Sequence, residues 1–190
     1  MREAIPPSPF LVLDGFLAPE ECSATLARMG AIGWTAAEVR SRDGSQALPG
    51  LRDNLRCEFS DPELAVDLAD RLRARGLWPW LAQAAACGRG ADSVRSWFRG
   101  YAYEGAQRFG AHRDGREREG ALVSRVTLLV YLQEPESGGE TVLIEPGPDP
   151  VKIAPKAGRL LAFASRLLHE AEPVGGGRKS LLRTDAMFPI

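Results

Sequence analysis

The sequence predicts a mainly β chain of the α+β kind, a jelly roll carried on N-terminal helices. From about residue 93 it breaks into short apolar or alternating runs, VRSWFRGYAY, ALVSRVTLLVYLQ, ETVLIEP, VKIAP, RLLAFAS, LLHEAEPV and KSLLRTDAMF. Turn-forming stretches, ESGGE, EPGPDP, PKAG and VGGGR, separate them. Before residue 93, two windows repeat their apolar residues at helical spacing instead. Strand spacing of this kind also suits another sandwich or barrel.

Taken in order, PFLVLDGF reads as a first strand. LAPEECSATLARMG follows as a helix with Pro19 in its first turn and Gly30 at its end. RSRDGSQALPGLRDNLRC has the Gly, Ser, Asp and Arg content of a loop folded over a ligand. In SDPELAVDLADRLRARG, Ser60 or Asp61 can cap a second helix whose stripe is Leu64, Ala65, Leu68 and Leu72. These helices are expected to buttress one sheet face. The 190 residues fit one domain, with residues 1–92 as helical support and substrate loop and 93–190 as the jelly-roll core.

A net charge of −1 with interleaved signs offers no electrostatic footprint for nucleic acid or an anionic membrane. Three widely spaced cysteines without a CxxC indicate reduced thiols. No apolar run approaches a membrane span or a signal-peptide core, so a cytoplasmic protein is expected. Trp34, Trp78, Trp80 and Trp97 lack an accompanying basic stripe and are expected to pack as core or lid, not to stack on bases.

The chain has only two histidines. In RFGAHRDG, His112 and Asp114 stand at i and i+2, which on a strand puts both side chains on one face about 6.5–7 Å apart at the backbone. His169, in LLHEAEPV, fits a neighbouring inner strand near its end. Two neutral imidazoles and one carboxylate on one side of an ion form the facial arrangement of non-heme Fe(II) oxygenases. By itself an HxD pair is a weak signal.

The surrounding order of motifs is a stronger one. Tyr103, Gly105, Phe109, HRDG, RVTLLVYLQ, SGGETVLIEP, APKAGRLLAF and HEAEPVGGGRK follow one another along roughly half the chain. In this it resembles the 2-oxoglutarate and Fe(II)-dependent dioxygenases, specifically the branch similar to prolyl 4-hydroxylases. The resemblance implies a double-stranded β-helix, with His112, Asp114 and His169 as metal ligands and Fe(II), 2-oxoglutarate and O2 as cofactors. It also implies hydroxylation of a C–H bond in a small molecule, amino acid or peptidyl residue, with release of succinate and CO2. Retention of Asp114 argues against halogenation, because related halogenating enzymes carry a small residue there.

The far carboxylate of 2-oxoglutarate requires a cation. Lys179 matches the lysine of the prolyl-hydroxylase pattern, whereas Arg183 offers a planar fork suited to carboxylates. Both lie on one face of a KSLLRTD strand, and whichever is not the anchor could pair with Asp185 or reach substrate. Tyr103 and Tyr131 occupy positions where similar proteins place tyrosines near the cosubstrate, and Thr127 and Thr141 are further candidates. Two features depart from the pattern: Ser124 stands where an arginine is usual, with Arg125 one place later, and the turn before Phe109 reads EGAQ.

For substrate, Arg40, Arg42, Arg52 and Arg56 crowd the loop between the helices, with Asn54 between the last two. Arg99 and Tyr101 share strand parity with Tyr103 and would line the same cavity. The alternative is a non-catalytic, cupin-like metal-binding jelly roll that binds or senses a ligand.

Overall fold

The computed structural model describes residues 8–41, 44–46, 51–145 and 147–190. Two antiparallel sheets face each other. The larger has the strand order Phe10–Leu13, Leu160–Ala164, Leu122–Gln133, Arg178–Pro189, Trp97–Glu104, Leu55–Ser60 and Thr35–Ala36. The smaller runs Val151–Ile153, Thr141–Leu143, His169–Ala171 and Phe109–His112. This is the expected jelly roll, with helices on the outer face of the larger sheet.

Both faces of the larger sheet are covered, which explains why its central strands read as nearly unbroken apolar runs. Alternation still sorts their side chains. Val126, Leu128, Val130, Leu132, Leu182, Ala186, Phe188 and Phe98 join the core shared with the helices. Leu129, Tyr131, Leu181, Tyr101 and Tyr103 face the smaller sheet with Leu143, Phe163 and Ala171. Burying a full Leu or Phe side chain contributes roughly 1.5–3 kcal/mol, so the two clusters dominate the fold's stability.

The first helix, Pro19–Ile32, runs past Gly30 and is capped by Gly33. Glycine inside a helix costs only about 1 kcal/mol. The burial of Met29 just ahead of it carries the helix onward. At its start Glu21 accepts a hydrogen bond from the Ala18 N–H (2.7 Å), closing the first turn. The second helix, Pro62–Ala74, is capped by Asp61, whose Oδ1 accepts from the Leu64 N–H, and it buries Ala65, Leu68, Ala69 and Leu72. The sequence does not predict the third helix, Trp78–Ala85, and the strand Leu55–Ser60 begins in the last three residues of the segment read as a loop. There Leu55, Cys57 and Phe59 alternate with Arg56, Glu58 and Ser60, a period of two hidden by the charge of the segment.

Cys22 and Cys57 are buried free thiols, and burial raises the pKa of both. Trp34, Trp78 and Trp80 pack against the helical core, whereas Trp97 stays 39% exposed. Among the described residues no helix is long and apolar enough to cross a membrane.

Gly158 fastens the helical layer to the jelly roll. Its carbonyl accepts from the Phe16 and Leu17 N–H groups, and its own N–H donates to the Tyr131 carbonyl. Its φ is +77°, and a Cβ there would meet the Leu17 carbonyl oxygen at 2.3 Å. Gly158→Ala is therefore expected to cost about 2–4 kcal/mol, from left-handed backbone strain plus a backbone clash. Denaturant unfolding of the two proteins measures it.

Candidate metal and cosubstrate site

His112 ends the strand Phe109–His112, and His169 begins its antiparallel neighbour His169–Ala171, where the two are directly paired. Their ring centroids lie 4.2 Å apart. Both are oriented in the same way, by a contact to the carbonyl two residues back. Nδ1 of His112 lies 2.9 Å from the Gly110 oxygen, and Nδ1 of His169 lies 3.0 Å from the Leu167 oxygen. A carbonyl only accepts, so Nδ1 carries the proton in each ring and Nε2 presents a lone pair. Those Nε2 atoms stand 3.9 Å from Oδ1 and Oδ2 of Asp114 respectively. One ligand atom from each of the three residues lies within 4.8 Å of the others.

Protonation states suit a cation. Burial, with help from His169, lowers the His112 pKa to about 4, and burial lowers that of His169 as well. Both rings are thus neutral at neutral pH. Burial opposes ionisation of Asp114, but Arg183 and the two histidines outweigh it and hold the carboxyl below its ordinary value. Its Oδ2 accepts from the Thr127 hydroxyl (2.7 Å), and Arg183 Nη2 approaches Oδ1 at 3.3 Å. Two neutral nitrogen donors and one anionic oxygen, fixed from behind and converging on one point, are a donor set that fits Fe(II). Removing the Thr127 hydroxyl with Thr127→Val is expected to weaken Fe(II) binding roughly tenfold or more, by equilibrium titration.

The two candidate cations sit on one face of strand Arg178–Pro189, as strand parity requires, but their surroundings differ. Arg183 is engaged by two carboxylates, Asp114 and Asp185, the latter at 3.1 Å. Burial opposes its charge, and those carboxylates overcome the penalty and raise its pKa. Lys179 is 0% exposed and, among the described residues, donates only to the Gly139 carbonyl (2.6 Å), with its ammonium 4.8 Å from the Tyr103 ring centroid. Among the described residues it has no carboxylate within ion-pair distance. Burial brings its pKa down to about 7, against a weaker pull from Glu140 and Glu172. Gly139, at φ +75°, brings its carbonyl to Lys179 from the SGGE turn, and a Cβ there would press on the lysine stem at 3.2 Å.

A narrow inner recess is lined by Tyr103, Leu129, Thr141, Lys179 and Leu181, along with His112, Asp114, His169 and Arg183. Tyr131 does not line it. Its hydroxyl donates to Thr141 Oγ1 (2.7 Å), so it orients a residue that does. An outer cleft of about 420 Å³ shares His112, Asp114, Tyr101 and Arg183 with the recess and adds Arg52, Arg56, Arg99 and Arg113. Arg99 is held there by Glu58 (2.9 Å) and Glu117 (3.0 Å). Asn54 is buried behind the cleft and accepts from Arg52 Nε (3.1 Å). The side chain of Arg40 and all of Arg42 lie outside the described residues.

Residues 97–183 match the sequence profile of the 2OG-Fe(II) oxygenase superfamily. That span holds His112, Asp114 and His169 together with Lys179 and Arg183. Residues 97–183 are thus similar to a 2OG-Fe(II) oxygenase domain. Solved structures agree on the fold. A viral collagen prolyl hydroxylase from Paramecium Bursaria Chlorella virus-1, in complex with 2-oxoglutarate, is 23% identical with a TM-score of 0.66, covering 96% of this chain and 97% of that one. A Pseudomonas putida prolyl-4-hydroxylase is 19% identical with a TM-score of 0.69, over 96% and 93% of the two chains. A Trichoplax adhaerens prolyl hydroxylase, in complex with a hypoxia-inducible-factor peptide fragment, is 20% identical with a TM-score of 0.66, over 94% and 83%. No curated protein sequence matches the chain.

Proposed function

We propose that this oxygenase couples conversion of 2-oxoglutarate and O2 into succinate and CO2 to hydroxylation of an unactivated C–H bond. The second oxygen atom enters the substrate, which is a small molecule, an amino acid or a peptidyl residue. The observation that carries this reading is where the three ligands stand: at the junction of a recess closed by a buried lysine with no carboxylate partner among the described residues and a cleft large enough for a second molecule.

In this reading His112 and His169 supply neutral nitrogens and Asp114 an anionic oxygen, with Thr127 and Arg183 fixing the carboxylate. Fe(II), when bound there with 2-oxoglutarate, supplies the oxidative chemistry. Lys179 pairs with the far carboxylate of 2-oxoglutarate, which restores to the buried ammonium the counter-charge it lacks. Tyr103 and Thr141 border that carboxylate with hydroxyls, and Tyr131 keeps Thr141 turned toward it. Leu129 and Leu181 wall the recess and exclude water, which strengthens the Lys179 pairing.

Anaerobic addition of Fe(II) and 2-oxoglutarate is expected to produce a weak visible charge-transfer band, and admitting oxygen to produce succinate. Metal binding with neither result would identify a cupin-like binding domain instead.

A further inference from the structure

We propose that the substrate of this oxygenase is a carboxylic acid and that Arg52 receives its carboxylate in the outer cleft. The proposal rests on the oxygenase reading above and names the substrate class it leaves open.

Arg52 is only 9% exposed, yet among the described residues no carboxylate lies within ion-pair distance of it. Its Nε donates to Asn54 Oδ1 at 3.1 Å and its Nη1 to the Glu38 carbonyl at a long 3.4 Å, while Nη2 is buried with no acceptor among the described residues. The other well-buried arginines of the cleft are provided for: Arg99 by Glu58 and Glu117, Arg183 by Asp114 and Asp185. Arg113 is paired with Glu145. A buried guanidinium without an anion costs several kcal/mol, a cost a fold has no reason to carry unless the anion arrives from outside.

Position and rigidity point the same way. The guanidinium lies over the Phe109 ring at 4.2 Å, and Phe109 in turn stacks on the His112 imidazole at 3.6 Å between centroids. Tyr101, 5.0 Å away, borders the guanidinium as well. The fork is therefore held before any ligand arrives, in line with a metal ligand. A carboxylate received by Arg52 would bring the carbons next to it toward the ion. One guanidinium with one nitrogen left without an acceptor matches a single planar anion. The cleft's volume of about 420 Å³ suits a small molecule.

The test is calorimetric titration of the anaerobic Fe(II) and 2-oxoglutarate-loaded protein with aliphatic, aromatic and amino carboxylic acids, each paired with its primary amide. At least one acid is expected to bind, and to bind tighter than its amide by on the order of thirtyfold or more. Arg52→Gln is expected to erase that preference, and Arg52→Lys, which keeps the charge but not the fork, to retain part of it. Equal binding of acid and amide, binding of no acid, an undiminished preference in Arg52→Gln, or stronger binding of inorganic phosphate would each overturn the proposal. Should Arg52→Gln fail to fold, the acid and amide pairs on the unaltered protein decide alone. The charge-transfer band, read in the same samples, separates the two levels. If it is absent the oxygenase reading fails, and if it is present without acid preference only this proposal fails.

Discussion

Asp114→Ala is expected to reduce 2-oxoglutarate turnover below detection while leaving the fold standing. The carboxylate is the only anionic member of the donor set, and two neutral imidazoles alone hold a first-row divalent ion weakly. The fold survives because Arg183 keeps Asp185 as a partner 3.1 Å away, so the substitution does not strand a buried charge. His112→Ala and His169→Ala are expected to silence turnover equally. Succinate release, Fe(II) titration and thermal unfolding on the same preparations check all three variants. Turnover near that of the unaltered protein in any of them would remove the metal assignment.

Lys179→Met is expected to raise the 2-oxoglutarate concentration needed for half-maximal band formation on the order of a hundredfold, with Fe(II) binding little changed. Methionine fills similar volume without charge, and the loss falls on a buried pairing in a recess that water does not share. A pH signature accompanies it. Lys179 titrates near 7 in the cosubstrate-free protein. Only its protonated form pairs with the carboxylate, so apparent affinity should be flat below about pH 7 and decline as pH rises above it. Lys179→Met should remove that decline. If Arg183→Ala raises the 2-oxoglutarate requirement more than Lys179→Met does, the anchor has been assigned to the wrong cation.

The contrast between those two cations marks where sequence reading stops. Strand parity placed Lys179 and Arg183 on one face, and Asp185 was visible as a partner two residues along the same strand. Asp114, the second carboxylate on Arg183, arrives from a different segment, and no local pattern announces which cation is left unopposed. The convergence of His112, Asp114 and His169 was legible from the order of motifs around them, which the resemblance supplies, and from there being only two histidines in the chain. Tyr131 shows an intermediate case. The resemblance places it near the cosubstrate, and in the structure it does face the smaller sheet, but Thr141 from the opposing strand stands between it and the recess. The strand Leu55–Ser60 was missed because Arg56 and Glu58 lent it the composition of a loop. The third helix was missed because eight residues starting at Trp78, with Pro79 second, give too few turns for a stripe to show.

The two-sided character of the larger sheet divides the labour of its three central strands by odd and even residue number. Positions 99, 101, 103, 127, 129, 131, 179, 181, 183 and 185 look toward the chemistry, whereas 98, 126, 128, 130, 132, 182, 186 and 188 look toward the scaffold. A mutational library confined to the odd set would reach reactivity together with the buried cluster of Leu129, Tyr131 and Leu181, whereas one confined to the even set would tune durability with the lining of the site left in place. Deleting a single residue from one of these strands would exchange the two roles beyond the cut.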